Sequence, residues 1–493
     1  MCRHCYDWEN DAPLMTPLSD TVLYLIHPRG FTCHSSSGVQ HRGTYAGITE
    51  KLPYLKELGI TAVELMPSYE FLELEKQERR ERSMDEARNH YMDLPEEKDE
   101  PPRINYWGYK RGYYFAPKMS YSASDCPAEE FKDMVKNAHQ NGIEVIMQFY
   151  FPADVKRAYI LEVIKYWVFT FHVDGFHLLG MHMPTALLAT EPMLGNTKLF
   201  YEDIPCGEIY DNNDIPVYKN LAVYNDDFMY AARHFLKSDE GSLQPMLDLW
   251  KKNPKQTGVI NYITNYSGFT LADLVSFDRK HNEANGEENR DGETYNVSWN
   301  CGAEGKTRKK SILELRLKQM KNAMLLLLTA QGTPMIVSGD EFGFSHGGNN
   351  NPYCQDNAVS WLNWKLMETN REFFSFVKEA VAFRKKHPVL HRPDELTMMD
   401  YIACGYPDLS LHGEEAWKLN ADGLSRQAGL MYCGCYAKVD KKNNDNFIYI
   451  AYNMHWEEHD FALPALPPDL KWAKVLDTVS DRQEEGENGR TAA

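Results

Sequence analysis

The stretch PAEEFKDMVKNAHQNGIEVIMQF, residues 127–149, decides the fold: a helical pattern over Pro127–Asn141 runs directly into the apolar strand Gly142–Phe149. The same alternation continues on both sides. Upstream, Asp20–His27 reads as a strand, Ala46–Leu58 as a helix with apolar residues three and four apart, and Ile60–Met66 as the next strand. Downstream come helix Ala158–Phe171 and strand Val173–Leu179, then strands at Lys198–Glu202, Leu221–Tyr224, Val259–Thr264 and Pro334–Gly339. Long helices are expected at Ser311–Thr329 and Arg371–Lys386. About eight strand–helix units suit an α/β fold of the closed TIM (β/α)8 type better than an open doubly wound sheet, for which no G-x-G-x-x-G is present.

Beyond about residue 390 the pattern changes to short alternating strands separated by Pro, Asn and Gly, at Gly429–Ala437, Asn446–Tyr452, Asp460–Leu463 and Trp472–Asp477. This predicts a C-terminal antiparallel β-sandwich over 391–480 after a barrel over 1–390. The charged run Glu73–Glu100 breaks the rhythm after the second strand and reads as a solvated insertion near 73–103. The tail 481–493 has the composition of a disordered segment.

The 493 residues are enough for two or three domains and a large core. With 43% hydrophobic and 25% charged residues, the chain is of ordinary globular type. A net charge of −18 repels phosphate backbones and anionic lipid, so neither nucleic acid nor a membrane surface is an expected partner. Met1–Leu14 has no apolar core for a secretory signal, and no run approaches the roughly 18 apolar residues of a membrane span. A cytoplasmic location is the expectation. Ten dilute cysteines do not make a disulfide framework. The C-x-x-C at Cys2 and Cys5 and the C-x-C at Cys433 and Cys435 lack a second pair at zinc-ribbon spacing, so no metal or other cofactor is expected.

Six ordered segments resemble isoamylase-type glycogen-debranching enzymes of glycoside hydrolase family 13, the α-amylase superfamily. They are YDWENDAPL (6–14), INYWGYKRGYYFAP (104–117), SGFTLADLVSFDRKHNEANGEENRDG (267–292), SWNCGAEG (298–305), GDEFGFSHGGNNNPYCQDNAVSWLNW (339–364) and AYNMHWE (451–457). The resemblance covers nearly the whole chain and implies a TIM barrel followed by a β-sandwich. It also implies a starch-binding module of carbohydrate-binding module family 48 before the barrel, which this chain, starting at the barrel, is expected to lack.

Retaining glycosidases need two carboxyl groups about 5 to 5.5 Å apart, one as nucleophile and one as acid/base. The family's fourth-strand motif V-D-G-F-R-F-D ends in the nucleophile. Here it reads Val173, Asp174, Gly175, Phe176, His177, Leu178, Leu179, so His177 replaces the arginine and Leu179 stands at the nucleophile position. Asp174 falls where the family's aspartate holds the strand end. The seventh-strand T-x-H-D-G-F becomes Thr264, Asn265, Tyr266, Ser267, Gly268, Phe269, which puts Tyr266 at the histidine and Ser267 at the transition-state-stabilising aspartate. The third-strand D-V-V-x-N-H becomes Gln148 to Ala153, and the long loop that follows in the family is shortened to a few residues. Glu202, in the fifth-strand motif, is the candidate general acid, with a rim glutamate bonded to neighbours as the equal alternative.

Sugar contacts implied by the resemblance are Tyr106, Trp107 and Tyr109 as a stacking platform, His177 and Tyr266 in the pocket, Trp299 and Asn300, and Asn350, Asn351, Tyr353 and Asp356 in the amide-rich loop after the eighth strand. Aromatic faces suit the apolar faces of pyranose rings. A core aromatic cluster, for Trp107 above all, and an Asn/Gly loop that caps its own backbone are the competing readings. The implied function is therefore a glycogen-debranching-like protein of α-glucan metabolism that has lost catalysis and serves as a glucan-binding or regulatory partner of an active debranching homologue. An active α-1,6-glucosidase with unusual residues, or a decayed copy without a selected role, are the alternatives.

Overall fold

The computed structural model describes residues 6–74, 103–211, 214–479 and 491–492. Eight parallel strands close a barrel: β1 (Leu23–Ile26), β2 (Ala62–Leu65), β3 (Glu144–Tyr150), β4 (Gly175–Leu179), β5 (Lys198–Tyr201), β6 (Leu221–Tyr224), β7 (Gly258–Asn261) and β8 (Thr333–Val337). Each strand pairs with its sequence neighbours, and β8 returns to β1 through Leu23↔Met335, Tyr24↔Ile336 and Leu25↔Val337. All eight expected strands are the barrel strands, each within the expected segment or one residue beyond it.

The helices form because their apolar stripes match the outside of the barrel. In α1 (Tyr45–Leu58) the buried residues Ile48, Leu52, Leu55 and Leu58 repeat every three or four positions, and the Thr44 hydroxyl caps the N-terminus by accepting from Gly47 N–H. In α2 (Pro127–Gln140), proline opens the first turn beside Glu129 and Glu130, and Phe131, Met134, Val135 and Ala138 face inward. α3 (Arg157–Phe171) buries Ile160, Val163, Ile164, Trp167 and Phe171. A second, smaller core fills the barrel lumen with Leu23, Leu25, Ala62, Ile146, Phe200, Ala222, Ile260 and Met335.

The C-terminal region is an antiparallel sheet of β9 (Leu409–His412), β10 (Gln427–Tyr432) and β11 (Ile448–Asn453). It is fastened to the barrel by Tyr432, whose hydroxyl donates to Thr329 O at 2.9 Å, and by Asp445, which accepts from Val389 N–H at 2.9 Å. The expected strand Asp460–Leu463 is not part of a ladder, although Ala462 N–H donates to Gly413 O at 3.1 Å. Of the expected strand Trp472–Asp477 only Lys471–Trp472 is one, paired in parallel with Thr491–Ala492. That pairing differs from the disorder expected there, and the rest of the tail from residue 480 lies outside the described residues. Most of the charged insertion, 75–102, also lies outside them.

Candidate functional site

In a barrel of this kind chemistry belongs at the carboxyl ends of the strands. Side chains two apart on a strand share a face, so His177 and Leu179 both point to the lumen. The register aligns His177 with Gln148 of β3 and with Phe200 of β5. At the centre lies Glu64 of β2, fully buried. Its Oε1 accepts from Gln148 Nε2 and from His177 Nδ1, both at 2.7 Å, and its Oε2 accepts from the Tyr224 hydroxyl. The His177 ring stacks on Tyr224 with centroids 3.9 Å apart. The Tyr109 hydroxyl donates to Gln148 Oε1. Above these, Tyr109 lies against Tyr266 at 4.8 Å, and Trp107 meets Tyr266 edge-on at 5.4 Å.

The result is a stopper of alternating acceptors and donors with an aromatic lid. Burial first, and the Glu64 charge after neighbouring tyrosine effects or directly, push the Tyr224 and Tyr109 phenols well above their usual range. Burial and then Glu64 push Tyr266 up to about 12. All three stay protonated near neutrality and act as donors, not bases. Glu64 is the residue that sequence reasoning missed. The signal was a lone acid in an otherwise apolar strand, which a barrel interior tolerates only when every acceptor is matched.

The strand register locates the positions that the resemblance marks as catalytic. Continuing the β4–β5 register past His177↔Phe200 sets Leu179 beside Glu202, on strands about 4.8 Å apart, where a carboxylate pair would stand. Leu179 is half-buried and has no oxygen; Glu202 is exposed, and Ser267 is exposed at the rim. On the β1–β8 side of the mouth, a cavity bordered by Trp107, Tyr266, Tyr106, His27 and Ser338 measures about 50 Å³. Only residues 151–156 separate β3 from α3, so the shortened wall expected there is present as such.

Several residues expected to meet sugar make contacts within this end of the barrel. His177 is spent on Glu64. Tyr106 is buried and stacked on His27 at 3.8 Å, and His27 in turn hydrogen-bonds Tyr106 O at 2.8 Å. Asn350 is fully buried: its Nδ2 donates to Glu293 O at 2.7 Å and Asn296 Oδ1 at 2.9 Å, while its Oδ1 accepts from Asn282 Nδ2 at 2.8 Å. Its correction from cleft lining to loop brace has a steric counterpart. Gly292 sits at φ +73°, and a Cβ there would lie 2.4 Å from Asn350 Oδ1. Asn351 donates to Asp291 Oδ2 at 2.9 Å, and Asp356 receives Arg29 Nε at 2.9 Å and Trp361 Nε1 at 2.8 Å. Tyr353 donates to Glu287, Asn300 donates to Glu304 at 3.2 Å, and Trp299 is exposed on the surface. The amide-rich loop thus caps itself and its neighbour 282–296.

Asp174 has the structural role expected of it. Its Oδ2 accepts from Val145 N–H at 2.8 Å and from His139 Nε2 at 2.9 Å. His139 Nδ1 is 2.8 Å from Asp11, which also binds His172 Nδ1 at 2.6 Å, and Trp8 stacks on His172 at 3.7 Å. The segment 6–14 is therefore a clasp at the amino-terminal end of the barrel. Burial works against a charge on His139, but Asp174 and then Asp11 outweigh it and raise the imidazole to about 9. Among the described residues two groups have metal-ligand spacing, Cys404/Cys433/Cys435 and His455/Glu457/His459, and both lie in the C-terminal region.

A closed parallel (β/α)8 barrel followed by a C-terminal antiparallel sheet is the architecture of the α-amylase class. The Alpha amylase, catalytic domain, family matches residues 25–153. Isoamylase 1, chloroplastic, of Oryza sativa subsp. japonica is 31% identical over 566 aligned positions, covering 96% of this chain and 66% of its own length. A Glycogen operon protein GlgX homolog of Mycobacterium bovis is 30% identical, covering 96% of this chain and 74% of its own. The chain therefore belongs to the isoamylase-type family within glycoside hydrolase family 13. It spans about two thirds of the length of the curated relatives it matches, and the 566 aligned positions exceed its 493 residues, so the relatives carry segments it lacks. A pullulanase from Paenibacillus barengoltzii, solved in complex with maltohexaose and alpha-cyclodextrin, superposes with a TM-score of 0.66 at 22% identity over 94% of this chain and 74% of its own, which bears out the fold.

Proposed function

We propose that this protein is a non-hydrolysing relative of glycogen-debranching enzymes that acts in α-glucan metabolism by binding glucan on its surface. The observation that supports the reading is the stopper: Glu64, Gln148, His177 and Tyr109 are tied together by hydrogen bonds in the barrel lumen, and Tyr266 packs on Tyr109 above them. The arithmetic of catalysis supports it. A positioned general acid supplies roughly 10² to 10⁴-fold, and each lost electrostatic stabiliser costs on the order of 10² to 10³, against the 10⁶ or more that enzymes deliver. Glu202 alone falls short by several orders of magnitude. The exposed aromatic Trp299 and the half-exposed Trp107 are the surface sugar contacts of this proposal. Pairing with an active debranching homologue, in whichever compartment holds the glucan, cytoplasm included, belongs to the same reading.

The test is a native affinity gel with and without glycogen beside a reducing-end assay on limit dextrin. Retarded migration without sugar release is the expected result. Release abolished by Glu202→Gln would replace the reading with that of an active α-1,6-glucosidase, and neither retardation nor release would leave a copy whose fold persists without glucan binding.

A further inference from the structure

The fold brings Cys404 beside the C-x-C pair Cys433 and Cys435, from which the sequence holds it apart. Cys433 and Cys435 lie at the end of β10, and Cys404 comes from the loop before β9. The ligand atoms of all three are within 4.8 Å of one another, and the Sγ atoms of Cys404 and Cys433 are 3.9 Å apart. A disulfide requires about 2.05 Å. With zinc–sulfur bonds of about 2.3 Å, two thiolates on one zinc ion sit about 3.8 Å apart in tetrahedral geometry and about 4.0 Å apart in trigonal geometry. The Cys404–Cys433 separation of 3.9 Å falls between these two values, and no Sγ pair of the three is farther apart than 4.8 Å. From this geometry we infer that Cys404, Cys433 and Cys435 form a zinc site with three thiolate ligands and a fourth position open to water.

The surroundings fit. Cys433 is buried while Cys404 and Cys435 are half-buried, so one side of the triad reaches solvent and leaves room for the fourth ligand. The Cys404 loop is pre-shaped by Asp400, whose carboxylate accepts from Cys404 N–H at 3.0 Å, Gly405 N–H at 2.8 Å and the Tyr436 hydroxyl at 2.8 Å. Those bonds leave Asp400 as the orienting group rather than a ligand. An apolar wall of Met431, Phe447, Tyr406 and Leu466 lowers the local dielectric around the sulfurs. Three soft sulfur donors at single-ion spacing select zinc or cuprous ion over magnesium, calcium or manganese. Zinc must displace the thiol protons, and its affinity rises with pH.

The site would tie the loop 400–406 to the end of β10, the central strand of the C-terminal sheet. It is independent of the barrel mouth and of the glucan reading. The full chain carrying Cys2→Ser and Cys5→Ser, which removes the other C-x-x-C pair, is reduced, stripped with chelator and titrated with Zn²⁺ against a chromophoric chelator, and with Co²⁺ as a spectroscopic probe. One equivalent of zinc, visible cobalt bands with thiolate charge transfer, and a higher melting temperature are expected. Cys404→Ser and Cys435→Ser, both at half-exposed positions, should weaken zinc at least about 100-fold, while Cys126→Ser should leave it unchanged. A Cu⁺ arm that binds one equivalent and displaces zinc at equal free concentration would overturn the choice of zinc. Absence of stoichiometric binding with all thiols reactive, retention of affinity in both serine variants, or a mass 2 Da low from a Cys404–Cys433 disulfide in the untreated protein would overturn the site.

Discussion

Replacing Glu64 distinguishes a stopper from a working site. Active-site carboxylates are often held at a cost in stability, and removing them tends to stabilise the fold. A carboxylate that serves only to satisfy its neighbours has the opposite behaviour. Glu64→Leu orphans Gln148 Nε2, His177 Nδ1 and the Tyr224 hydroxyl in the barrel lumen. Each unmatched buried donor costs about 1–3 kcal/mol, and the added apolar contact of leucine offsets about 2 kcal/mol. The net loss is about 1–7 kcal/mol, at its upper end a large part of the roughly 5–15 kcal/mol that holds a domain together. Glu64→Gln keeps an acceptor oxygen and should lose about 1–2 kcal/mol. Urea unfolding at pH 7, followed in parallel by tryptophan fluorescence and far-ultraviolet circular dichroism, reads both as shifts in midpoint at constant slope. A Glu64→Leu protein as stable as the parent, or more so, refutes the account of the barrel mouth given above.

Three further outcomes follow from the same contacts. Glu202→Gln, at an exposed position, should change stability by less than about 0.5 kcal/mol and leave sugar release at background; a larger drop in either quantity contradicts its placement. Leu179→Asp combined with Ser267→Asp restores two carboxylates but leaves Gln148, His177 and Tyr266 in place, so no reducing ends should appear from limit dextrin, and hydrolysis by the double variant would show that the mouth admits substrate. His139 has its folded pKa raised from 6.5 to about 9. Its contribution, on the order of 3 kcal/mol, is therefore complete below about pH 6.5 and lost as pH rises through about 9. The urea midpoint of the parent should fall between pH 6.5 and 9.5, and His139→Gln should flatten that decline; an equal decline in the variant assigns the pH dependence elsewhere.

The barrel was legible because each strand is a short apolar run followed by a helix with a one-sided stripe, and neither pattern depends on distant partners. The departures at His177, Leu179, Tyr266 and Ser267 were legible because the residues before and after them, such as Val173–Phe176 and Gly268–Phe269, still follow the motifs. What replaced them was not, since Glu64 and Tyr224 are 160 residues apart and only closure of the barrel makes them neighbours. Asn350 misled for a related reason: an amide-rich loop reads the same whether its amides face a ligand or the segment 282–296. Cys404 likewise gained its place beside Cys433, 29 residues away, from the turn of the chain into the C-terminal sheet.

The amino-terminal clasp sets a schedule for synthesis. Asp11 leaves the ribosome 161 residues before His172, which at about 5–20 residues per second is a wait of roughly ten to thirty seconds. Throughout that interval Trp8 has no imidazole to rest on, and the barrel floor stays unsealed. A nascent chain stalled before residue 172 should therefore present its first aromatic residues to any holding chaperone, and release them only once α3 has emerged.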